Sequence, residues 1–187
     1  TKEKSMQALV LEKKNELSLR EIAVDEKLGP HDVRIAIHTV GICGSDVHMA
    51  QADEEGYILY PGLTAFPATL GHEFAGEVVE AGPKAINKRT RKPYEPGEAV
   101  CSEEMLWCGS CRPCADGYPN QCEALHELGF SCDGAFAEYI VVDARYLWSI
   151  EELREKYAGD DAFVAGALVE PTSVAYTAVI DTAGGIR

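Results

Sequence analysis

The sequence predicts a mainly β domain with flanking helices, and three observations support that prediction. Short apolar runs separated by turn residues occupy roughly the first 150 residues, a pattern typical of a barrel or a sandwich. Residues 151–187 change character and carry the patterns of helices. The 187 residues are 46% hydrophobic and 26% charged, which is the composition of a globular chain with room for one domain and the start of another.

Apolar runs and alternation identify the strands in chain order. Residues 6–11 and 16–22 are two short runs around a polar turn, and they predict a pair of strands. Residues 33–40 alternate, with Val33, Ile35 and Ile37 on one face, which predicts a half-buried strand. Further strands are predicted at 74–81, 98–105 and 135–143, and loops at 51–70 and 84–97.

Helices are predicted mainly in the final segment. They are a short helix after the glycine-rich turn 41–46, then 151–157, 160–169 and 171–182. Pro171 suits the first position of the last helix, because that position needs no backbone N–H. The same helix would expose an apolar surface that expects a partner, made of Val174, Tyr176, Ala178 and Val179.

The charge balance argues against two classes of partner. Lys and Arg number 17 and Asp and Glu number 31, so the net charge is −14. An acidic surface repels phosphate backbones, so neither nucleic acid nor an anionic membrane is expected as the main partner. The apolar stretch 6–11 is too short for a signal core, and Glu170-Pro171 interrupts the apolar run 162–180. We therefore expect no membrane span and a cytoplasmic location.

The cysteine pattern predicts a metal site. Four of the seven cysteines form C-x2-C-x2-C-x7-C within a lobe at 107–124, and they are Cys108, Cys111, Cys114 and Cys122. Four thiolates make the closed tetrahedral site typical of structural Zn²⁺, which would tie down a loop with few apolar residues. An iron–sulfur cluster and free thiols are the alternatives. Cys101 and Cys132 lie outside the pattern and are interpreted as core residues.

A second group of polar residues is scattered along the chain. Its members are Cys43, Asp46, His48, His72, Glu73 and Glu170. Cysteine, histidine and carboxylate are the ligand types of a catalytic zinc with an open position. Each residue also has an ordinary structural explanation, such as a core cysteine, a core histidine or a helix cap, and on their own these explanations are favoured. The remaining histidines, His31, His38 and His126, are interpreted as structural or surface residues.

The two groups together resemble the medium-chain zinc alcohol/polyol dehydrogenase family. The motifs GICGSD, GHEFAG, the cysteine lobe, DGAFAEY and EPTSVA occur in the order of that family, and the resemblance runs from about residue 6 to the chain end. It implies a GroES-like, partly open β-barrel over 1–160 that contains the zinc lobe. It also implies that 161–187 are connecting helices leading into a Rossmann domain that this sequence lacks.

The resemblance also implies roles for individual residues. Cys43 and His72 would bind the catalytic zinc, with Glu73 as a ligand either directly or in some states of the cycle, and Glu170 at the further ligand position. Asp46 would bond the zinc-binding histidine and fix its tautomer. Ser45 and His48 would carry the alcohol proton to solvent, with the cofactor ribose between them. Glutamate rather than cysteine at position 170 places the chain in the polyol branch.

Within that branch, residues 51–70 and 87–109 resemble bacterial cyclitol enzymes of the scyllo-inosose type. The expected reaction is oxidation of a polyol or cyclitol, with scyllo-inosose as the hypothesised substrate, by hydride transfer to NAD or NADP. Two Zn²⁺ per chain and a homo-oligomer of the complete protein are expected. No nicotinamide-binding residue is predicted here, because Gly184-Gly185 have no preceding strand, so this chain alone would be weakly active or inactive.

Two other functions remain open at this point. One is a non-catalytic GroES-like module with a single structural zinc, and the other is an iron–sulfur electron carrier. Metal analysis would separate them, because the three hypotheses predict two zincs, one zinc and iron respectively.

Overall fold

Two antiparallel sheets form the framework of the structure, a computed structural model that describes residues 5–24, 27–51 and 65–182. The larger sheet has five strands and the smaller has three, and a third sheet of two short strands is separate from both. The prediction of a mainly β fold with flanking helices is confirmed.

The larger sheet is built around β3 (Asp32–Val40), which pairs with β5 (Phe74–Ala81) and β9 (Tyr139–Asp143). The alternation that predicted β3 is borne out at Val33 and Ile35, which are fully buried in the main core, whereas Ile37 on the same face is partly buried against it. Beyond β5 the sheet continues with β6 (Ala99–Ser102) and β10 (Leu147–Ser149). The strand predicted at 135–143 is shorter, because residues 135 and 136 hydrogen-bond instead to the loop at 70–71.

The smaller sheet holds β1 (Ser5–Lys13), β2 (Glu16–Ala23) and β4 (Ala68–Thr69). Its hairpin turns at Asn15, whose φ of 58° is one that asparagine tolerates. Among the described residues only short links join the two sheets, including a bridge between Ala8 and Ala137. The barrel is therefore partly open, as the family resemblance implies.

The helices are short. They are α1 (Gly44–Ala50), α2 (Arg112–Ala115), α3 (Glu151–Lys156), α4 (Asp161–Ala167) and α5 (Val169–Tyr176), and α5 continues into a π-helical turn at Thr177–Thr182. Single 3₁₀ turns lie at Pro119–Gln121 and Ala144–Tyr146. The separate two-stranded sheet pairs β7 (Met105–Leu106) with β8 (His126–Glu127), and the cysteine lobe lies between these two strands in the chain.

Helix α4 covers one face of the larger sheet. Its Phe163 and Ala167 are buried against Cys101 and Ile150, in a core separate from the main one. Gly166 permits this approach, because a Cβ there would lie 2.5 Å from Ile150 Cδ1 and 2.8 Å from Ala75 Cβ.

The start of the last helix was predicted wrongly. Pro171 is the third residue of α5, since α5 begins at Val169 after a single turn residue, Leu168. The first four N–H groups of a helix have no partner within it, so proline is accommodated there as well as at the first position. Val174, Tyr176 and Val179 are exposed, as predicted. The pair Gly184-Gly185 lies outside the described residues.

The segment Asp161–Ile180 is long and apolar enough to cross a membrane, judged by length and composition alone. Only 17% of its 18-residue apolar window is buried in the structure. Glu170 and Pro171 lie near its middle.

Candidate metal centres

Asp46 joins the two loops that carry the first candidate site. Its carboxylate accepts hydrogen bonds from the backbone N–H of Cys43, at 2.8 Å, and of Gly71, at 3.3 Å. The side chain is buried, and this burial raises its pKa, while the two N–H groups and nearby His72 act in the opposite direction. One acidic side chain thus fixes the turn 41–46 against the turn before β5.

His72 is held in a crowded glycine turn. Gly71 has a φ of +91°, and a Cβ there would overlap the ring of Phe136. The turn therefore requires glycine for both its backbone conformation and its space. The His72 ring is buried beside Phe130, with 5.3 Å between ring centroids.

The buried Nδ1 of His72 has no hydrogen-bond partner among the described residues, and it lies 4.0 Å from Asp46 Oδ1. A buried nitrogen without a partner is uncommon and calls for an explanation. A small movement of the ring toward Asp46 would complete the bond that orients a metal-binding histidine.

The structure brings three of the predicted ligands together. One donor atom each from Cys43, His72 and Glu73 lies within 4.8 Å of the other two. A thiol, an imidazole and a carboxylate form a donor set that suits zinc, and three protein ligands leave a fourth position open. The donor set therefore fits a catalytic Zn²⁺.

Glu170 is not a member of that group of donor atoms in the described part of the chain. Its carboxyl is half-buried, and burial together with the charge of Glu73 raises its pKa to about 7. Glu170 thus lies within electrostatic reach of the site, and its role as a further ligand stays a prediction.

Sequence reasoning missed Glu104, a partly buried carboxyl close to this region. Burial, Glu127 and Glu170 raise its pKa to about 8. The only sequence signal was a glutamate pair, Glu103-Glu104, directly before an apolar run, and this pattern is too common to identify a site.

Ser45 and His48 both lie on α1 but face different surroundings. The buried Ser45 Oγ has no hydrogen-bond partner in the described residues, whereas His48 is exposed. The helix therefore carries one hydroxyl on the inside and one imidazole on the solvent side, and the predicted proton relay stays a prediction.

The second candidate site is the cysteine lobe. Donor atoms of Cys108, Cys111, Cys114 and Cys122 all lie within 4.8 Å of one another. The Sγ atoms of Cys111 and Cys122 are 3.8 Å apart. Between the cysteines the chain reverses at Gly109 and Gly117, with φ of +76° and +89°.

Backbone N–H groups point at two of these sulfurs. Cys108 Sγ accepts from the N–H of Ser110, at 3.4 Å, and of Cys111, at 3.3 Å. These bonds stabilise the thiolate and lower the pKa of Cys108 to about 6. Cys122 Sγ likewise accepts from the N–H of Cys108 and Ala124. The four sulfurs and their N–H donors fit a closed Zn²⁺ site.

The lobe is anchored to the main domain at its first residues. The Tyr146 hydroxyl donates to the backbone oxygen of Trp107 at 2.5 Å, and the two rings meet edge to face. The Trp107 indole N–H donates to Glu103 at 3.1 Å. Of the remaining cysteines, Cys101 is buried as predicted, whereas Cys132 is only half-buried and donates to the Glu127 backbone oxygen.

Comparison with known proteins identifies the fold. The alcohol dehydrogenase GroES-like domain family matches residues 29–152. The chain belongs to this family. Membership confirms the GroES-like, partly open barrel and the resemblance to zinc-dependent alcohol dehydrogenases.

Particular members of the GroES-like family are similar over most of this chain. Scyllo-inosose 3-dehydrogenase of Thermotoga maritima is 70% identical over 158 residues, which are 84% of this chain and 40% of that protein. A T. maritima structure provisionally assigned as an alcohol dehydrogenase superimposes with a TM-score of 0.83 at 61% identity, covering 96% of this chain and 47% of that one. The alcohol dehydrogenase RspB of Escherichia coli CFT073, solved with NADH, gives 0.74 at 31% identity, covering 95% and 45%.

The chain therefore spans less than half the length of the relatives that it matches.

Proposed function

We propose that this chain is the catalytic portion of a zinc-dependent oxidoreductase that oxidises a secondary alcohol of a polyol or cyclitol by hydride transfer to NAD or NADP. The observation that carries the proposal is the convergence of Cys43, His72 and Glu73 at a site separate from the four-cysteine lobe. Under this proposal residues 1–160 are the catalytic domain, and 161–187 connect it to a dinucleotide-binding domain.

The residues around the first site are proposed to have different roles. Cys43, His72 and Glu73 hold the zinc, which when bound supplies Lewis acidity that lowers the pKa of a bound alcohol. Asp46 faces His72 Nδ1 and leaves Nε2 for the metal. Glu170 is proposed as the further ligand, since its carboxyl lies within electrostatic reach of Glu73.

Ser45 and His48 are proposed to move the alcohol proton. The buried Ser45 hydroxyl, without a protein partner in the described residues, would accept the alcohol proton while releasing its own hydroxyl proton toward His48. Exposed His48, one turn further along α1, is placed to pass it to water. Glu73 completes the set of residues proposed to act in the reaction.

The second zinc is proposed to be structural. Cys108, Cys111, Cys114 and Cys122 leave no open position, so this ion would hold the lobe 107–124 together and take no part in the reaction.

Metal content is the first test. We expect two zincs per chain in the complete protein, and one after Cys43→Ser, with loss of activity. Cys132→Ser is the matched control, because Cys132 belongs to neither site, and it should retain both zincs. One zinc in the unmodified protein would favour the non-catalytic module, and iron with visible absorption would favour the electron carrier.

Scyllo-inosose is proposed as the substrate, with support from the similarity to the T. maritima enzyme. The test is a panel of sorbitol, xylitol, threonine, myo-inositol and scyllo-inosose, assayed with the complete protein and with both NAD and NADP. We expect the highest kcat/KM for a cyclitol, and absence of turnover with both cyclitols would remove this assignment.

The remaining proposals concern the location, oligomeric state and partners of the protein, and the activity of this chain alone. We propose a cytoplasmic homo-oligomer that acts on small molecules. We also propose that it has no nucleic-acid or membrane partner, because a net charge of −14 repels anionic surfaces. The 187-residue chain alone is proposed to be weakly active or inactive. NAD-dependent turnover by this chain alone would contradict that last point.

A further inference from the structure

Gly41 lies directly against Glu73, where the ends of β3 and β5 meet. The Gly41 N–H donates to the backbone oxygen of Glu73 at 2.6 Å. A Cβ built on Gly41 would overlap Glu73 Oε2, and it would lie 3.1 Å from Glu73 Cβ and 3.4 Å from Glu73 Cδ. These three nearest atoms all belong to the Glu73 side chain, so the missing side chain of Gly41 is the space that the carboxylate occupies.

Space, and not backbone conformation, accounts for glycine at this position. Gly41 is not among the residues with a positive φ, whereas Gly71, two residues before Glu73, has a φ of +91°. An L-residue can therefore adopt the backbone of Gly41 without strain. The obstacle is mainly the tip of a flexible side chain, so a methyl group there would be accommodated by moving the Glu73 carboxylate.

The displaced carboxylate is one of the three converging donors. Glu73 lies within 4.8 Å of the Cys43 and His72 donor atoms, and metal–ligand distances tolerate deviations of only about 0.2 Å. The positions of Cys43 and His72 do not depend on the space at Gly41, because Asp46 fixes both of their loops.

We propose that Gly41 is a positioning residue of the catalytic zinc site: the absence of its side chain creates the seat that holds the Glu73 carboxylate beside Cys43 and His72. The inference rests on the proposed function and adds a residue to it. Gly41 contributes no donor atom itself and acts through Glu73 alone.

Gly41→Ala tests the inference by metal affinity. We measure zinc release from the complete protein to a competing chelator, which reports the two sites as separate phases. We expect the affinity of the catalytic site to fall about 10- to 100-fold, the range typical when a residue that supports a ligand is changed. Zinc in the cysteine lobe should be retained with its original affinity.

Gly44→Ala is the matched control. Gly44 lies on the same segment, three residues further on, and a Cβ there would have no heavy atom within 4 Å in the described structure. Its φ is also not positive, so alanine should fit, and both zinc affinities should match those of the unmodified protein.

A double-mutant cycle tests whether Gly41→Ala lowers zinc affinity through Glu73 or by disturbing the fold in general. In a Glu73→Ala background the seat has no occupant, so adding Gly41→Ala should change the catalytic-site affinity by less than about twofold. A loss equal to that in the unmodified background would overturn the inference.

The remaining outcomes are also distinguishable. If the unmodified protein binds two zincs and Gly41→Ala releases both as the unmodified protein does, the inference fails and the proposed function stands. If the unmodified protein binds zinc only in the cysteine lobe, the proposed function fails and the inference fails with it.

Discussion

Single carboxylates determine most of the local chemistry of the first site. Asp46 is buried and accepts hydrogen bonds from two backbone N–H groups in different loops, that of Cys43 and that of Gly71, the residue before His72. Glu104 and Glu170 are half-buried, and burial together with neighbouring carboxylates raises their pKa values to about 8 and about 7. Asp46 thus organises the site, and Glu104 and Glu170 add carboxyls nearby whose charge changes with pH near neutrality.

Asp46→Asn should weaken zinc binding at the catalytic site. An amide has one acceptor oxygen, so its NH₂ group would face one of the two N–H donors, and the negative charge beside His72 is lost. We expect a loss of zinc affinity of about 10- to 100-fold, measured by chelator competition. Asp32→Asn, which also removes a carboxylate that accepts a backbone N–H but lies in the turn at residue 29, should leave zinc affinity unchanged.

Glu104→Gln should stabilise the protein at high pH. Burial raises the folded-state pKa of Glu104 to about 8, above the ordinary glutamate pKa of 4.5, so the carboxyl is neutral when folded and charged when unfolded between those values. Its contribution to stability is therefore fully present below pH 4.5 and is lost as pH rises toward 8.

Glutamine stays neutral throughout, so the gain in Tm over the unmodified protein should grow between pH 5 and pH 8. Thermal melts across this range measure the gain, with exposed Glu155→Gln as the control. A gain that is constant with pH would show that the effect does not come from titration of Glu104.

At the scale of the elements, α4 and the sheet fit together through small residues. Gly166 approaches Ile150 and Ala75 too closely for a Cβ, while Phe163 stacks on His38 at 4.0 Å between ring centroids. The helix therefore has one position on the sheet, and that position places α5, and with it Glu170, near β6.

Gly166→Ala should destabilise the protein despite the better helix propensity of alanine. The added methyl group overlaps buried side chains, and overpacking of this kind costs about 1–3 kcal/mol. Chemical denaturation would show the midpoint moving to lower denaturant. Gly44→Ala, a helical glycine with open space, should leave the midpoint unchanged or raise it.

At the scale of the whole molecule, the charge imbalance dominates. The chain carries 31 acidic against 17 basic residues, and like charges at this density repel one another in the folded state. The ion pairs of the described residues lie largely on the surface, where each contributes little.

Moderate salt should therefore stabilise the protein. Raising KCl from about 10 mM to about 150 mM shortens the screening length from about 30 Å to about 8 Å, which weakens the net repulsion. We expect Tm to increase over this range at neutral pH. A decrease would mean that attractive ion pairs outweigh the repulsion.

The sequence by itself determined what depends on local spacing. The convergence of the four cysteines in the lobe follows from the sequence, because C-x2-C-x2-C-x7-C confines all four sulfurs to one short loop. The alternation at 33–40 predicted β3 and its buried face, since side-chain direction in a strand repeats every two residues.

Only the tertiary structure decided what depends on distant segments. Cys43 and His72 meet because β3 pairs with β5 and Asp46 joins their adjoining loops, and no local pattern contains that pairing. Glu104 was missed because its burial comes from neighbours elsewhere in the fold. The space for the Glu73 carboxylate exists because the end of β3 and the start of β5 approach closely at Gly41. This approach is a result of packing, and the spacing of residues along the chain does not predict it.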